Sequence, residues 1–303
     1  MNRDLSKGPV VRSMLLFAIP MILGDLLQQC YNIADTLIVG HFLGEKALAA
    51  VGSSFTLMTF ITSILLGLCM GSGALFSIRF GQRDENGLKE DICASFFFIA
   101  AVTLLLNMVA YVSLDGLGSF LRVPDEVWGD MRAYLFVIFM GIPAVFLYNY
   151  FTSYLRAIGN SVVPLVFLAL SSVLNIILDL WFVIGLERGV SGAAQATVLS
   201  QYLSGLGIML YTLVNHKQVR AIRKIGCLKK ERIRRLTLQF KEGIMVLASF
   251  LSAGYSLENS LSLSVKELEG LYGKTGMITE EFSYMEAGCL LYTSPSPRDP
   301  KTS

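Results

Sequence analysis

Two polar residues stand four apart inside an otherwise apolar run. In SSVLNIILDLWFVIG, residues 171–185, Asn175 and Asp179 fall on one face of a helix, with Ser171 and Ser172 a turn earlier on the same side. A second polar set lies nearer the N-terminus. At about 100° per residue, Asp25, Gln28, Asn32 and Asp35 share one narrow helix face, and Tyr31 stands on its edge one turn before Asp35. Carboxylates grouped with carboxamide and phenol side chains can bind a cation or hold a proton. Hydrolytic and nucleotide chemistry need other groups. The two histidines, His41 and His216, lie outside the apolar runs, and there is no GxxxxGK[ST] loop, no GxGxxG after a strand and no HExxH. The chain therefore reads as a non-enzyme with no resident cofactor, and any driving energy must come from an ion gradient.

The elements that carry these residues follow from composition. Of 303 residues 53% are hydrophobic and only 16% charged, against roughly a quarter charged in soluble domains. The mean hydropathy is +0.58. This is the composition of a membrane protein, and a net charge of +2 gives no basis for nucleic-acid binding. Runs long enough to cross about 30 Å of hydrocarbon recur at 13–39, 47–78, 91–114, 131–154, 162–186 and 190–214. The expected fold is all-α and polytopic, with six spans. The polar start MNRDLSKGPVVRS, followed by so long an apolar run, is not a cleavable signal peptide.

Inside such a bundle a charge costs about 2.5–3.5 kcal/mol at mid-bilayer, so it must face the interior or a wet cavity. Asp35 and Asp179 are accordingly functional candidates. Asn175 taken alone reads first as a hydrogen bond between helices, and Asp25 equally as a second site group or a cavity lining. Pro20 interrupts the first run as a static kink or a hinge. Gly67 and Gly71 have the small-xxx-small spacing of tight helix packing. Cys30, Cys69 and Cys93 are expected to be small apolar packing residues rather than disulfides.

Basic residues set the orientation. Over residues 1–235, 16 Lys and Arg fall on the N-terminal segment, the second and fourth connections and the segment after the sixth run, against four (Lys46, Arg122, Arg132, Arg188) on the other connections. The positive-inside rule then places both flanks of the bundle in the cytoplasm, with 40–46, 115–130 and 186–190 outside. After about residue 215 the chain becomes charged and amphipathic up to Met285, without a run of spanning length. The closing YTSPSPRDPKTS has no apolar period. The expected organisation is a bundle at 1–214, a charged linker and amphipathic helical segment at 215–286, and a tail at 287–303.

Several separated motifs appear in a recognisable order. GPVVRSMLLFAIPMILGDLLQQCYNIADTLIVGHFLGEKALAAVG is followed by GSGALFSIRFGQRDENGLKED, LRAIGNSVVP and LNIILDLWFVIGLERGVSGAAQATVLSQ. Along residues 8 to about 214 the sequence resembles the multidrug and toxic compound extrusion (MATE) family. That resemblance implies the N-terminal bundle of a twelve-span transporter, the second six-helix bundle being absent, which exports organic cations and drugs across a bacterial cytoplasmic membrane in exchange for H⁺ or Na⁺. It further implies a hinge proline at Pro20 and a cation site of Asp35, Asn175 and Asp179. Tyr31, Tyr134 and Thr197 would join the pocket, beside the stripe residues Gln28, Asn32 and Asp25. Asp25 departs from the neutral polar residue expected there.

The segment QFKEGIMVLASFLSAGYSLENSLSLSVKELEGLYG, over about 230–286, looks like the helical module of F/TadB-like secretion and pilus-assembly proteins, and the last residues look like translated adaptor or vector sequence. Together these features read as a chimeric assembly. The alternative function is a non-transporting scaffold or secretion-platform subunit, against which the intramembrane Asp35 and Asp179 speak.

Overall fold

A backbone in hydrocarbon must bond its own N–H and C=O groups, and helices do this within one segment. The computed structural model describes residues 10–120, 123–223, 257–273, 278–279 and 282–283, and among these the regular structure is helical. The helices are α1 (Val10–Leu43), α2 (Glu45–Gly81), α3 (Glu85–Phe120), α4 (Asp125–Ile138), α5 (Ile142–Ala157), α6 (Val162–Asp179), α7 (Gly189–Asn215) and α8 (Leu257–Tyr272). A short 3₁₀ turn, Phe139–Gly141, joins α4 to α5 as one path, and a π-helical segment, Leu180–Gly185, prolongs α6.

Among the described residues five helical stretches have the length and composition to cross a membrane: 45–81, 85–116, 126–157, 162–185 and 189–215. These correspond to the second to sixth expected runs. α1, at 34 residues, is long enough and runs unbroken through Pro20. It is not among the five.

The chain forms two compact units, Met1–Cys227 and Leu228–Ser303. In the first, α5 packs on α2 and α7, while α6 packs on α7 and α1. The centre is aromatic. Tyr150 is fully buried and donates its hydroxyl to the Ile92 carbonyl at 2.6 Å, and its ring stands edge-on to Phe76, Phe96 and Phe151. Large apolar side chains point outward instead of inward, among them Val112 at 76% exposure, Phe60 at 67% and Leu37 at 66%. A surface of that kind suits a lipid solvent and would be an aggregation liability in water.

Turn chemistry explains the motif LRAIGNSVVP. Gly159 takes φ 81°, which closes α5 with Gly159 N–H bonded to the Arg156 carbonyl at 3.0 Å and Asn160 N–H to Leu155 at 2.8 Å. The Asn160 side chain then accepts from Val163 N–H at 3.2 Å and starts α6. Ser161 donates to the Phe17 carbonyl at 3.1 Å, tying this turn to α1 one turn before Pro20.

Two expectations need correction. Gly67 and Gly71 are exposed, and a Cβ at either would meet no atom within 4 Å, so their spacing does not mark the tight contact. Close approach occurs at Gly73, beside Ser153, and at Gly205, where a Cβ would lie 2.7 Å from the Ala144 carbonyl oxygen. Among the cysteines, Cys69 is buried and free and Cys30 exposed and free, but Cys93 is disulfide-bonded rather than a packing thiol.

In the second unit, Val265, Leu268 and Tyr272 of α8 pack with Ile278 and Phe282, and Thr279 donates its hydroxyl to the Leu268 carbonyl at 3.2 Å. Of the expected 215–286 segment, residues 224–256, 274–277, 280–281 and 284–286 lie outside the described residues, as does the whole of the tail at 287–303.

The Gly205 contact generates a prediction. Gly205→Ala should destabilise the bundle by roughly 1–3 kcal/mol, the usual cost of overpacking, whereas Gly67→Ala should be neutral or stabilising. Thermal melting of both variants in detergent checks this, and equal melting temperatures would refute the packing at α5 and α7.

Candidate cation and substrate site

The pocket is built by four helices. α1 supplies Tyr31 and Asp35, α4 supplies Tyr134, α6 supplies Asn175 and Asp179, and α7 supplies Thr197. The 175/179 spacing works as expected for one helix face, because both side chains point inward and are nearly or fully buried, Asn175 at 1% and Asp179 at 0% exposure. Directly after Asp179 the helix widens into the π-helical segment Leu180–Gly185. Such segments often accompany functional sites, because they re-aim a neighbouring side chain. Nothing in the apolar run LWFVIG signals one.

The hydrogen bonding is incomplete in a consistent direction. Asn175 Nδ2 donates to Thr197 Oγ1 at 3.3 Å. Asp35 and Asp179 bring their carboxyl groups within reach of one another, yet Asp179 Oδ1 and Oδ2, Asp35 Oδ1 and Asn175 Oδ1 are buried and receive no hydrogen bond among the described residues. Tyr31 reaches toward the Thr197 hydroxyl and feels both carboxylates, as does the buried Tyr134. Four orphaned acceptors around two carboxylates form a site that lacks positive charge. Among the described residues no three of His, Cys, Asp and Glu gather in the manner of a metal centre. A cation here would lie between two carboxylates and neutral oxygens.

The polar stripe of α1 is divided. Asp35 and Tyr31 join the pocket, and Asn32 is half-buried three residues before Asp35. Asp25 and Gln28 are exposed. Asp25 acts electrostatically on Tyr148, on which Arg156 also acts. Sequence spacing correctly placed all four on one face but could not show that the face leaves the pocket toward the N-terminal half of the helix. Tyr148 and Arg156, both on α5, were not anticipated as neighbours of Asp25, since only the tertiary packing of α1 brings them near.

The chain is 32% identical over 216 residues to "Probable multidrug resistance protein YpnP" of Bacillus subtilis (strain 168), which covers 71% of this chain and 48% of that protein. It is 29% identical over 254 residues to the multidrug export protein MepA of Staphylococcus aureus (strain bovine RF122 / ET3-1), covering 82% of this chain and 55% of MepA. The chain thus spans about half the length of the curated relatives it matches. A match covering 82% of 303 residues cannot fit within the first 214, so the likeness extends past the segment the sequence motifs delimit. Among solved structures, a MOP superfamily transporter from Pyrococcus furiosus Vc1 (DSM3638) superposes with a TM-score of 0.66 at 24% identity, covering 94% of this chain and 70% of that one, which shows the shared fold.

Nothing in these comparisons supports the secretion-module reading of 230–286 or the adaptor reading of the tail, and the scaffold alternative is not favoured. Residues 20–181, more than half of the chain, match MatE. The chain belongs to the MatE family of multidrug efflux transporters, which are membrane proteins and not enzymes.

Proposed function

We propose that this chain supplies the cation-coupling bundle of an antiporter that exports organic cations in exchange for H⁺ or Na⁺. The observation that carries the reading is the set of four buried acceptor atoms on Asp35, Asn175 and Asp179 that receive no hydrogen bond. Two ionised carboxylates at close range repel by on the order of 4 kcal/mol at an effective dielectric of about 20, and burial removes the water that would relieve them. A proton shared between them, or Na⁺ held by them with Asn175 Oδ1, removes that repulsion. Ion loading therefore favours whichever arrangement of α1 and α6 keeps the carboxylates together, and release favours the arrangement that separates them. Pro20, which lacks the donor for the carbonyl four residues earlier, is where α1 can bend between the two.

The substrate side of the reading is a cationic drug. Tyr31 and Tyr134 offer aromatic faces beside the carboxylates, and a desolvated organic cation gains from both. Ion and drug then compete for the same negative charge, which is the coupling. The transporting part is assigned to residues 1–214, with α1 as a sixth span and the N-terminus in the cytoplasm of a bacterial cell, in its cytoplasmic membrane. YpnP and MepA, whose names describe drug resistance and export, support this reading. A transporter of this architecture places substrate between two bundles, so the chain taken alone should show no gradient-dependent drug accumulation in proteoliposomes. Accumulation there would mean that one bundle suffices.

The orphaned acceptors separate stability from activity. Asp179→Asn removes a buried charge and adds an amide donor, so the variant should gain on the order of 1–3 kcal/mol in ion-free buffer, the worth of satisfying a buried polar group, while ethidium efflux by a full-length transporter carrying this bundle is abolished. Asp35→Asn should behave alike in efflux. Melting curves together with efflux at matched expression check the pair of effects, and wild-type efflux in both variants would refute the site.

The charge asymmetry yields a topology prediction. Glu45 and Glu85 are both exposed at the starts of α2 and α3. With single cysteines at these positions in a cysteine-free background, an impermeant maleimide added to intact cells should label position 45 and not position 85. The reverse pattern would invert the orientation.

A further inference from the structure

A second polar region lies away from the carboxylate pocket, where α2 leads into α3 and α5 ends. A cleft of about 820 Å³ opens between α1, α2 and α5, within the size range of ligand sites. Its lining combines the apolar Phe17, Met70 and Phe80 with Arg83 and Arg156 and the acidic Asp84 and Glu85. We propose that this cleft binds an anionic phospholipid, the phosphate between Arg83 and Arg156 and the acyl chain along the apolar wall.

Charge accounting in the cleft supports an anionic ligand. The carboxylates nearby are already engaged. Asp84 accepts from Gly87 N–H at 2.9 Å and from Arg79 at 3.5 Å, Asp91 accepts from Arg79 Nε at 2.9 Å, and Glu85 pairs with Lys89 at 3.7 Å. Arg83 and Arg156, by contrast, form no ion pair among the described residues. The Arg156 Nε donor is buried and makes no hydrogen bond among the described residues. Asp25, which acts on Tyr148 together with Arg156, is not within ion-pair distance of it. An unpaired buried guanidinium donor is costly unless an acceptor arrives from outside the chain.

Backbone geometry points the same way. Among the described residues Arg83 is one of two non-glycine residues held in the left-handed region, at φ 59°, within a turn closed by Asp84 N–H to the Arg79 carbonyl at 3.1 Å. Long side chains adopt that conformation at a cost, and such residues concentrate at functional sites. A basic head over an apolar cleft, at the end of membrane helices, matches a phospholipid better than a free anion, because a soluble phosphate would leave the apolar wall unused.

Assignment to the cytoplasmic leaflet rests on the orientation proposed above, but lipid retention is read without transport or topology, so the two readings fail separately. The test uses the full 303-residue chain in detergent, titrated with phosphatidylglycerol, phosphatidylcholine or inorganic phosphate and followed by native mass spectrometry. Phosphatidylglycerol should be retained in preference to phosphatidylcholine. Arg83→Asn and Arg156→Gln should each lower its retention roughly fivefold, the effect of about one basic group, with Arg188→Gln leaving it unchanged. Asparagine tolerates the left-handed backbone and Arg83 is exposed, so that variant keeps the turn and decides the matter even if Arg156→Gln does not fold. Equal retention of the two lipids, or full retention in Arg83→Asn, would overturn the proposal. Displacement of the lipid by millimolar inorganic phosphate would instead make the cleft a soluble-anion site.

Discussion

Two carboxylates face each other in this bundle with no donor between them, and much of the surrounding structure makes sense as the means of keeping them there. Asp179 is fully buried, and neither of its oxygens receives a hydrogen bond. A soluble domain would place a lysine or arginine opposite such a pair. Here the neighbours are Asn175, whose amide is spent on Thr197, and phenol groups. On the function proposed above, the missing partner is an ion that comes and goes, which a fixed cation on the chain could not do.

Holding like charges together requires a rigid frame. α6, which carries Asp179, packs along α7 and α1, and α7 in turn packs on α5 closely enough that Gly205 touches the Ala144 carbonyl. The buried aromatic cluster around Tyr150 fixes α5 to α2 and α3. α1 packs on α6 and on α2, and the Ser161 bond to Phe17 ties its N-terminal part to the turn between α5 and α6. Both helices that carry a carboxylate turn an apolar face outward, with Ile33 and Leu37 exposed on α1 and Val173 and Ile177 on α6.

The sequence shows this arrangement unevenly. Asn175 and Asp179 are legible because a charge in an apolar helix has few places to face, and spacing by four puts both in the same place. Asp35 is legible for the same reason. Tyr134 and Thr197 are not, since a tyrosine or threonine in a membrane helix packs against any neighbour, and only the resemblance to a family singled them out. Asp25 and Gln28 show the limit of periodicity: they share a face with Asp35, but a helix of 34 residues runs past more than one environment. Gly67 and Gly71 show it again, because spacing marks a smooth face without saying whether another helix covers it. The five spanning stretches followed directly from hydropathy, whereas the π-helical turn after Asp179 left no trace in an apolar run.

The division of the α1 stripe ties the carboxylate pocket to the other end of the bundle. Asp35 and Asp25 are ten residues apart, about 15 Å along a helix, and α1 is continuous between them. If α1 bends at Pro20 as proposed, five residues before Asp25, both would move as one lever, and a displacement separating Asp35 from Asp179 would also shift Asp25 relative to Tyr148 and Arg156. Neutralising the pocket with an ion would then remove the repulsion at one end of the lever, and the charge on Arg156 would act at the other. On this reading the polar residues of α1 give the two proposed sites a common mechanical element, and coupling between them needs no path through the packed core.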